Sequence, residues 1–325
     1  MNDKPGKNRI KLIVSLFCAA VLLGVIIFIV KGVLQNSQNT VSENDLVITC
    51  LDVGKADAAI FTYRQYTGII DTGTEEAFDK INAYLTDHSI TSIDCLIISH
   101  FDKDHIGSAV AILQKYPVKN VYYPDYVSTK KLYEPLMAEL SVAKDGRIVT
   151  AVDDDISIQY EDLTVELIGT KDPRVILNDS QKIDNNMSLM CRLDLGSKRM
   201  LFTGDIEYDR IQQILDDHDD VSADWIKYPH HGAYEKNEDA FLDMVGASCG
   251  VISTGSEKEP DKKLIKYLKK KKIRYYVTSA GDVTTICDGD SITLSQSRPF
   301  SVIRYIFLRP RQLREDMIVR TGSNG

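Results

Sequence analysis

The amino-acid sequence predicts a mixed α/β protein, a four-layer αββα sandwich preceded by one transmembrane helix. Three observations favour this architecture. Strand-like apolar runs occur in both halves of the chain with helical segments beside them, and two packed sheets with helices outside would bury these apolar faces. Ligand-like polar side chains repeatedly follow the predicted strands. An uncharged run near the amino terminus is long enough to cross a bilayer.

The composition is that of a folded protein with a sizeable core. Of the 325 residues 43% are hydrophobic, and the net charge of -8 gives no general signature of nucleic-acid binding. Six cysteines are scattered singly, which favours buried thiols over a disulfide framework or a zinc knuckle. One bridged pair is the alternative for an extracellular domain. The cysteines are Cys18, Cys50, Cys95, Cys191, Cys249 and Cys287.

The uncharged run from Leu12 to Val30 predicts a membrane-spanning helix about 28 Å long. Four basic residues precede it and only Lys31 follows closely. The positive-inside rule therefore places residues 1–11 in the cytoplasm and the domain of this single-pass chain outside the cell. A cleaved signal peptide is the alternative, but the run exceeds a usual h-region and no small-x-small site directly follows it. Residues 31–45 are predicted to form a polar linker.

The folded domain is predicted over residues 46–294, with residues 295–325 as a tail. Alternating or continuous apolar runs predict its strands, and apolar residues at helical spacing predict its helices, the first capped by Thr74. Strands are predicted at 46–51, 58–63, 68–71, 96–98, 120–123, 156–160, 163–168, 187–195, 199–202, 225–228, 251–253 and 274–277, and helices at 74–87, 106–115, 129–143, 207–217 and 262–272.

The turn after the strand at 96–98 carries four potential metal ligands within six residues, although the whole chain has only six histidines. Strand ends share the edges of a sandwich, so ligand-like residues that follow different strands are expected to converge. A solvated acidic loop with incidental histidines is the alternative. The candidates are His100, Asp102, Asp104 and His105 in this turn, and Asp71, Asp205, His230 and His231 after other strands.

Five motifs carry a resemblance to a known family. They are Leu-Asp-Val-Gly-Lys-Ala-Asp at 51–57, Asp-Thr-Gly at 71–73, Ser-His-Phe-Asp-Lys-Asp-His-Ile-Gly at 99–107, Thr-Gly-Asp at 203–205 and Pro-His-His-Gly at 229–232. In this order and spacing they resemble the metallo-β-lactamase superfamily, and within it the soluble domain of ComEC-type DNA-uptake proteins. The resemblance covers about residues 46–294.

The resemblance implies a site for two divalent metal ions. It implies that His100, Asp102 and Asp205 hold one ion, and that Asp104, His105, the bridging Asp205 and either His230 or His231 hold the other. Asp71 would support the ligands by hydrogen bonding, and Asn185 or Asn186 occupies the region of an absent third-motif histidine. Carboxylate in place of imidazole at Asp102 makes the site harder, which shifts its preference toward manganese without excluding zinc.

Such a site implies hydrolysis. Two ions roughly 3.5–4 Å apart would acidify a bridging water to hydroxide and stabilise charge on oxygen, which suits a phosphodiester substrate best, DNA being one candidate. The imidazole at 230 or 231 that binds no ion would protonate the leaving group. One alternative is an esterase or amidase acting on envelope or small-molecule substrates. Another is a non-catalytic metal-binding domain that docks a partner at the membrane.

Eight basic residues between Lys262 and Arg274 have two interpretations. Lysines neutralise phosphates, which favours nucleic-acid binding. Lysines also commonly fill the solvated face of an amphipathic helix, and Leu264, Ile265 and Leu268 supply an apolar stripe here. The sequence leaves both open.

Overall fold

The computed structural model describes residues 41–142, 146–170 and 183–297. From Asn44 onward these residues belong to one compact unit. The predicted segments 1–11 and 12–30, and most of the linker and of the tail, lie outside the described residues.

Within those three described ranges, no helix is both long and apolar enough to cross a membrane.

Two sheets form the centre of the fold. The strands are β1 Leu46–Cys50, β2 Ala58–Tyr63, β3 Tyr66–Thr72, β4 Ile93–Ile97, β5 Val118–Pro124, β6 Ile148–Val152, β7 Ile156–Tyr160, β8 Leu163–Ile168, β9 Met190–Leu195, β10 Lys198–Phe202, β11 Trp225–Lys227, β12 Cys249–Ile252, β13 Arg274–Val277, β14 Val283–Cys287 and β15 Ile292–Gln296. The first sheet has the strand order β15-β14-β1-β2-β3-β4-β5-β6 and the second β13-β12-β11-β10-β9-β8-β7.

Helices cover the outer face of each sheet. On the first sheet, α1, α3 and α4 pack over Ile69, Leu96 and Val121. On the second, α6, α7 and α8 pack over Leu201 and Ile226. The helices are α1 Phe78–Asp87, α2 Lys103–Ile106, α3 Ala109–Lys115, α4 Tyr133–Leu140, α5 Ile183–Asn186, α6 Tyr208–Asp217, α7 Glu238–Val245 and α8 Lys262–Lys271.

The layer between the sheets is apolar and closely packed. Phe61 and Ile97 of the first sheet meet Leu193, Phe202 and Trp225 of the second in one buried cluster. Strands whose side chains are buried on both faces appear in the sequence as continuous apolar runs, which is why they could be predicted. The predicted four-layer arrangement of two sheets between helices is thus confirmed for the described residues.

Parallel pairing brings the carboxyl ends of the strands together. β3, β4, β5 and β6 are parallel neighbours in the first sheet, and β10, β11, β12 and β13 are parallel neighbours in the second. Parallel neighbours end at the same edge of a sheet. The segments that follow β3, β4, β10, β11 and β12 therefore start from one edge of each sheet.

Some element boundaries differ from the prediction. The predicted helix at 106–115 starts later, at Ala109, and the separate short helix α2 ends at Ile106. Between the two, Ser108 Oγ donates to the carbonyl of Thr74 at 2.6 Å. Thr74 makes no side-chain cap, and a 3-10 turn at Glu75–Ala77 precedes α1. The predicted helix at 129–143 is shorter, spanning α4 alone.

The five cysteines among the described residues are free and buried. This agrees with the predicted buried thiols, and Cys18 lies outside the described residues. Burial raises the pKa of the Cys50 and Cys95 thiols to about 12, so neither forms a reactive thiolate at neutral pH.

We expect Gly107→Ala to destabilise the domain. A Cβ at Gly107 would lie 2.4 Å from the Thr74 carbonyl carbon and 2.5 Å from the Glu75 nitrogen, both backbone atoms that cannot rotate away. The cost should be about 1–3 kcal/mol in the free energy of unfolding, measured by urea denaturation. Gly107 has a helical φ of -56°, at which alanine is intrinsically preferred. Unchanged or higher stability would therefore contradict the close approach of the two segments.

Candidate metal centre

The ligand-like residues converge at the common edge of the two sheets. Asp71 ends β3, the turn from Ser99 to His105 follows β4, Asp205 follows β10, and His231 follows β11. The two sheets are joined here because the amide of Leu189 donates to the Ser99 carbonyl at 2.7 Å. The predicted convergence of distant motifs is therefore found in the structure.

Asp71 organises the turn that follows β4. Its carboxylate accepts hydrogen bonds from the Ser99 amide at 2.8 Å and from the Ser99 hydroxyl at 2.7 Å, and it lies 2.8 Å from His105 Nδ1. Asp71 itself has a φ of 55°, a left-handed conformation that aspartate tolerates better than most residues. Strain of this kind is typical of functional sites.

Three buried imidazoles are oriented by hydrogen bonds to Nδ1. His100 Nδ1 lies 3.0 Å from the Ser99 hydroxyl, His105 Nδ1 contacts Asp71, and His231 Nδ1 donates to the Ser253 carbonyl at 3.0 Å. The Nε2 atoms of all three rings are buried and have no hydrogen-bond partner. Fixing one ring nitrogen so that the other is presented to a cation is the usual arrangement at metal-binding histidines.

Asp205 occupies the middle of this cluster. Its Oδ2 atom lies 3.3 Å from His105 Nε2 and 3.3 Å from His231 Nε2. His231 Nε2 also lies 3.4 Å from Asp104 Oδ2. Ligand atoms within 4.8 Å of one another form overlapping groups, which include His100 with His105 and Asp205, and Asp104 with His105 and His231.

Burial and charge set the protonation of the metal-free cluster. Burial lowers the pKa of His100 to about 3, with the neighbouring His105 acting in the same direction. Burial would lower the pKa of His231 as well, but the charges of Asp205 and Asp57 outweigh it and raise that pKa to about 9. Asp205 and Asp71 likewise raise the pKa of His105 against its burial. The imidazolium charges hold the pKa of Asp205 well below its ordinary range.

The residues fit divalent metal ions. Unpartnered polar atoms are costly to bury, and here three imidazole nitrogens and Asp205 Oδ1 are buried without a hydrogen bond and share one small volume. Imidazole with carboxylate is a donor set for zinc or another first-row ion. His100, His105, His231, Asp104 and Asp205 are the side chains positioned to hold such ions, and their number and identity belong to the proposal below.

A buried ion pair beside the cluster was missed in the sequence. The Lys227 ammonium contacts Asp57 and lies 3.9 Å from Asp205 Oδ1, and the Lys227 side chain is only 4% exposed. Nearby carboxylates more than offset burial and raise the pKa of Lys227. Two features of the sequence could have indicated this pair. One is the lysine in the short strand Trp225–Lys227, which is buried throughout, and the other is Asp57 at the end of the first motif.

Asp102 lies outside the cluster in this structure. It was predicted to be a ligand, but its Oδ1 atom lies 2.6 Å from the Lys130 ammonium, and no convergent ligand group among the described residues includes it. Asp102 is the residue that precedes α2, and its carboxylate is a quarter exposed at the mouth of the site. The Lys130 ammonium therefore balances the charge of the Asp102 carboxylate, which a metal ion would otherwise do.

Asn186 and His230 are also placed apart from the cluster. The side-chain oxygen Oδ1 of Asn186 accepts hydrogen bonds from the backbone amides of Glu207 and Arg210 at 3.0 and 3.2 Å, so it caps the start of α6. The sequence left open whether Asn185 or Asn186 replaces the absent histidine, and in the structure the Asn186 oxygen is used at the start of this helix. His230 Nδ1 lies 3.3 Å from Glu207 Oε1, in a separate group with Glu235. Of the two adjacent histidines it is therefore His231 that faces Asp104 and Asp205.

Comparisons with known proteins identify the family of this chain. The family model described as the metallo-beta-lactamase superfamily matches residues 58–256. The chain is similar to ComE operon protein 3 of Bacillus subtilis, with 25% identity over 249 residues, 70% of this chain and 31% of that protein. It is 23% identical over 257 residues to competence protein ComA of Neisseria gonorrhoeae, 75% of this chain and 33% of that protein.

Two further similarities were found. Recombination protein 2 of Haemophilus influenzae is 25% identical over 213 residues, 64% of this chain and 24% of that protein. The metallo-beta-lactamase fold protein YhfI from Bacillus subtilis, a solved structure, aligns with a TM-score of 0.48 and 13% identity over 77% of this chain and 100% of that chain. This chain thus spans a third or less of the length of the curated relatives named.

We expect Lys227→Met to be strongly destabilising. The substitution leaves the Asp57 carboxylate buried without its ammonium, which should cost about 3–5 kcal/mol in the free energy of unfolding measured by urea denaturation. Lys198→Met is the matched control, because Lys198 pairs with Asp224 at 3.3 Å in a partly exposed position and should cost less than about 1 kcal/mol. An equal loss of unfolding free energy in the two variants would show that the buried pair stabilises the fold no more than the partly exposed pair does.

Proposed function

The chain belongs to the metallo-β-lactamase superfamily, and from that premise we propose that it is a metal-dependent hydrolase of phosphodiesters. The convergence of three buried imidazole nitrogens on the Asp205 carboxylate, none of them in a hydrogen bond of good geometry, supports the metal dependence. We propose two divalent ions, zinc or manganese, because the ligand atoms form more than one group around Asp205.

The residues of the chain each have a defined part in this proposal. Bound ions would supply Lewis acidity and an activated water. Asp205 lies between His105 and His231 and would act as a ligand together with both imidazoles. Asp104 precedes His105 in α2, and its carboxylate contacts the ring of His231. Asp71 holds His105 by its Nδ1 atom, which keeps Nε2 directed at the cluster.

His230 is suited to accept a proton. Burial lowers its pKa, more than the charges of Asp205 and Glu207 raise it, so the ring is neutral at neutral pH. A neutral imidazole is a very weak acid. We therefore do not propose that His230 protonates the leaving group. Its side chain is 23% exposed, so it can meet a substrate at the edge of the site.

An anionic substrate is supported by the charges at the mouth of the site. The ammonium of Lys55 lies 3.6 Å from Asp104 and is 31% exposed, and the ammonium of Lys130 is 39% exposed beside Asp102. Two partly exposed cations, one beside the candidate ligand Asp104 and one beside Asp102, favour a phosphate group over a neutral ester. The relatives named for competence and for recombination make DNA the first phosphodiester to test.

The proposal is tested with the full chain purified in detergent. Metal is removed and manganese or zinc is restored separately, and bis-p-nitrophenyl phosphate, single-stranded DNA and a β-lactam are assayed in parallel. We expect metal-dependent hydrolysis of the small diester and of DNA. Asp104→Ala combined with His105→Ala should lower kcat by at least about 1,000-fold and reduce the bound metal, because it removes two ligands. The exposed His88 supplies the control His88→Ala, which should keep both.

The other outcomes separate the alternatives. Hydrolysis of the small diester without hydrolysis of DNA would restrict the substrate to small or envelope molecules. Metal binding without hydrolysis of any substrate would favour the non-catalytic binding domain. If no metal binds, or if the double variant retains full activity, the metal-dependent mechanism is wrong.

We further propose that the domain is anchored to the cell membrane by residues 12–30 and lies outside the cell. Only the uncharged run and the flanking basic residues support this. Protease added to intact cells should then cleave the domain, whereas a cytoplasmic reporter protein should stay intact. Full protection of the domain until the cells are lysed would contradict the proposed topology.

A further inference from the structure

A basic cleft lies beside the metal centre, between helix α8 and strand β13. Its volume is about 680 Å³, within the range of ligand pockets. Four lysines line it, three on α8 and one on the preceding loop, and Glu259 is the single carboxylate among the lining residues. The lining lysines are Lys258, Lys262, Lys266 and Lys269.

The helix presents two different sets of lysines. Lys262, Lys266 and Lys269 are spaced four and three residues apart, so they share the face of α8 that borders the cleft. They are exposed, and none of them has a carboxylate partner among the described residues. On the other side of the helix, Lys271 pairs with Asp243 and Lys263 lies over the ring of Tyr234. The cleft-facing lysines are therefore available to bind an external anion.

Part of the lining of the cleft is aromatic and apolar. Tyr275 and Val277 come from β13 and Ile265 from α8, and all three are half-buried. A cleft lined by both a tyrosine ring and unpaired ammonium groups matches the two parts of a nucleic-acid strand, its bases and its phosphates. An acidic peptide would use the lysines but not the ring.

The cleft is connected to the metal centre through the chain itself. Ser253, whose carbonyl holds His231, is two residues before Gly255, where the cleft lining begins. On the other side, the amide of Asp261 donates to the carbonyl of Gly232 at 2.8 Å, and α8 starts at the next residue. A strand lying along α8 would thus approach the segments that carry His231.

We propose that the cleft of Lys258, Lys262, Lys266, Lys269 and Tyr275 binds a single strand of nucleic acid. The phosphates contact the lysines and a base stacks on Tyr275. This inference rests on the proposed function in taking the strand to be the substrate, but binding in the cleft is measured separately from hydrolysis. Residues 298–325 are a poor occupant because they carry six arginines against two acidic residues, the same sign of charge as the cleft.

The test compares two double variants of the full chain in detergent. Lys266→Gln with Lys269→Gln removes two charges from the cleft, and Lys263→Gln with Lys270→Gln removes two charges from elsewhere on the same helix. The ligand is a fluorescent phosphorothioate oligothymidylate that resists cleavage, followed by anisotropy at several salt concentrations. The cleft variant should bind on the order of 20-fold more weakly at about 0.1 M salt, with a salt slope shallower by about 1.4. The control variant should bind as the parent does.

Several results would overturn the inference. One is an equal loss in both variants, which would mean that only net charge matters. Tighter or equal binding of a duplex, or binding of polyglutamate with the same dependence on Lys266 and Lys269, would exclude a single-strand cleft. An RNA strand of the corresponding sequence is measured in the same way, to show whether the cleft prefers DNA or RNA. Lysine-dependent binding of either strand supports the proposal. Failure of the proposed hydrolysis would appear instead as the absence of metal-dependent cleavage by the parent chain.

Discussion

The structure depends on the balance of charge around one buried carboxylate. Asp205 is 3% exposed and lies between His105 and His231, with the Lys227 ammonium on its other side. An isolated buried carboxylate would be prohibitively expensive, so these cations stabilise the metal-free fold. Metal ions would take over the part that the protonated imidazoles play in their absence. The same cluster therefore couples stability, protonation and ligand binding.

Backbone geometry makes this charge cluster possible. The ligand residues come from four separate segments, and they meet because parallel strands in both sheets end at one edge. Close backbone approaches hold the segments in register, among them the contact of Gly107 with the segment around Thr74. The left-handed conformations of Asp71, His230 and His231 are concentrated at the same edge. Strained backbone is retained where it aims functional side chains.

Most of the fold could be predicted from the sequence because its periodicity is strong. The strands Ile156–Tyr160 and Leu163–Ile168 were predicted with the bounds that the structure shows. Boundaries failed where a tertiary contact decides them, as at the break between α2 and α3. In the site, Asp102 was assigned to the metal from the family resemblance, and Asn185 or Asn186 was placed in the region of an absent histidine. The side chains of Asp102 and Asn186 were instead taken by Lys130 and by the amino terminus of α6, partners that lie far along the chain.

The sequence by itself determined the layers, the buried thiols, the order of the motifs and the residue types of a metal centre, because these depend on local periodicity and on side-chain chemistry. Only the tertiary structure decided which side chains share the cluster. It separated His231, which contacts Asp205, from His230, which contacts Glu207. It also brought Lys227 of β11 together with Asp57 of the loop before β2. It also divided the lysines of one helix between a cleft and an outer face. Such choices depend on distances between segments remote in the chain, which no local pattern contains.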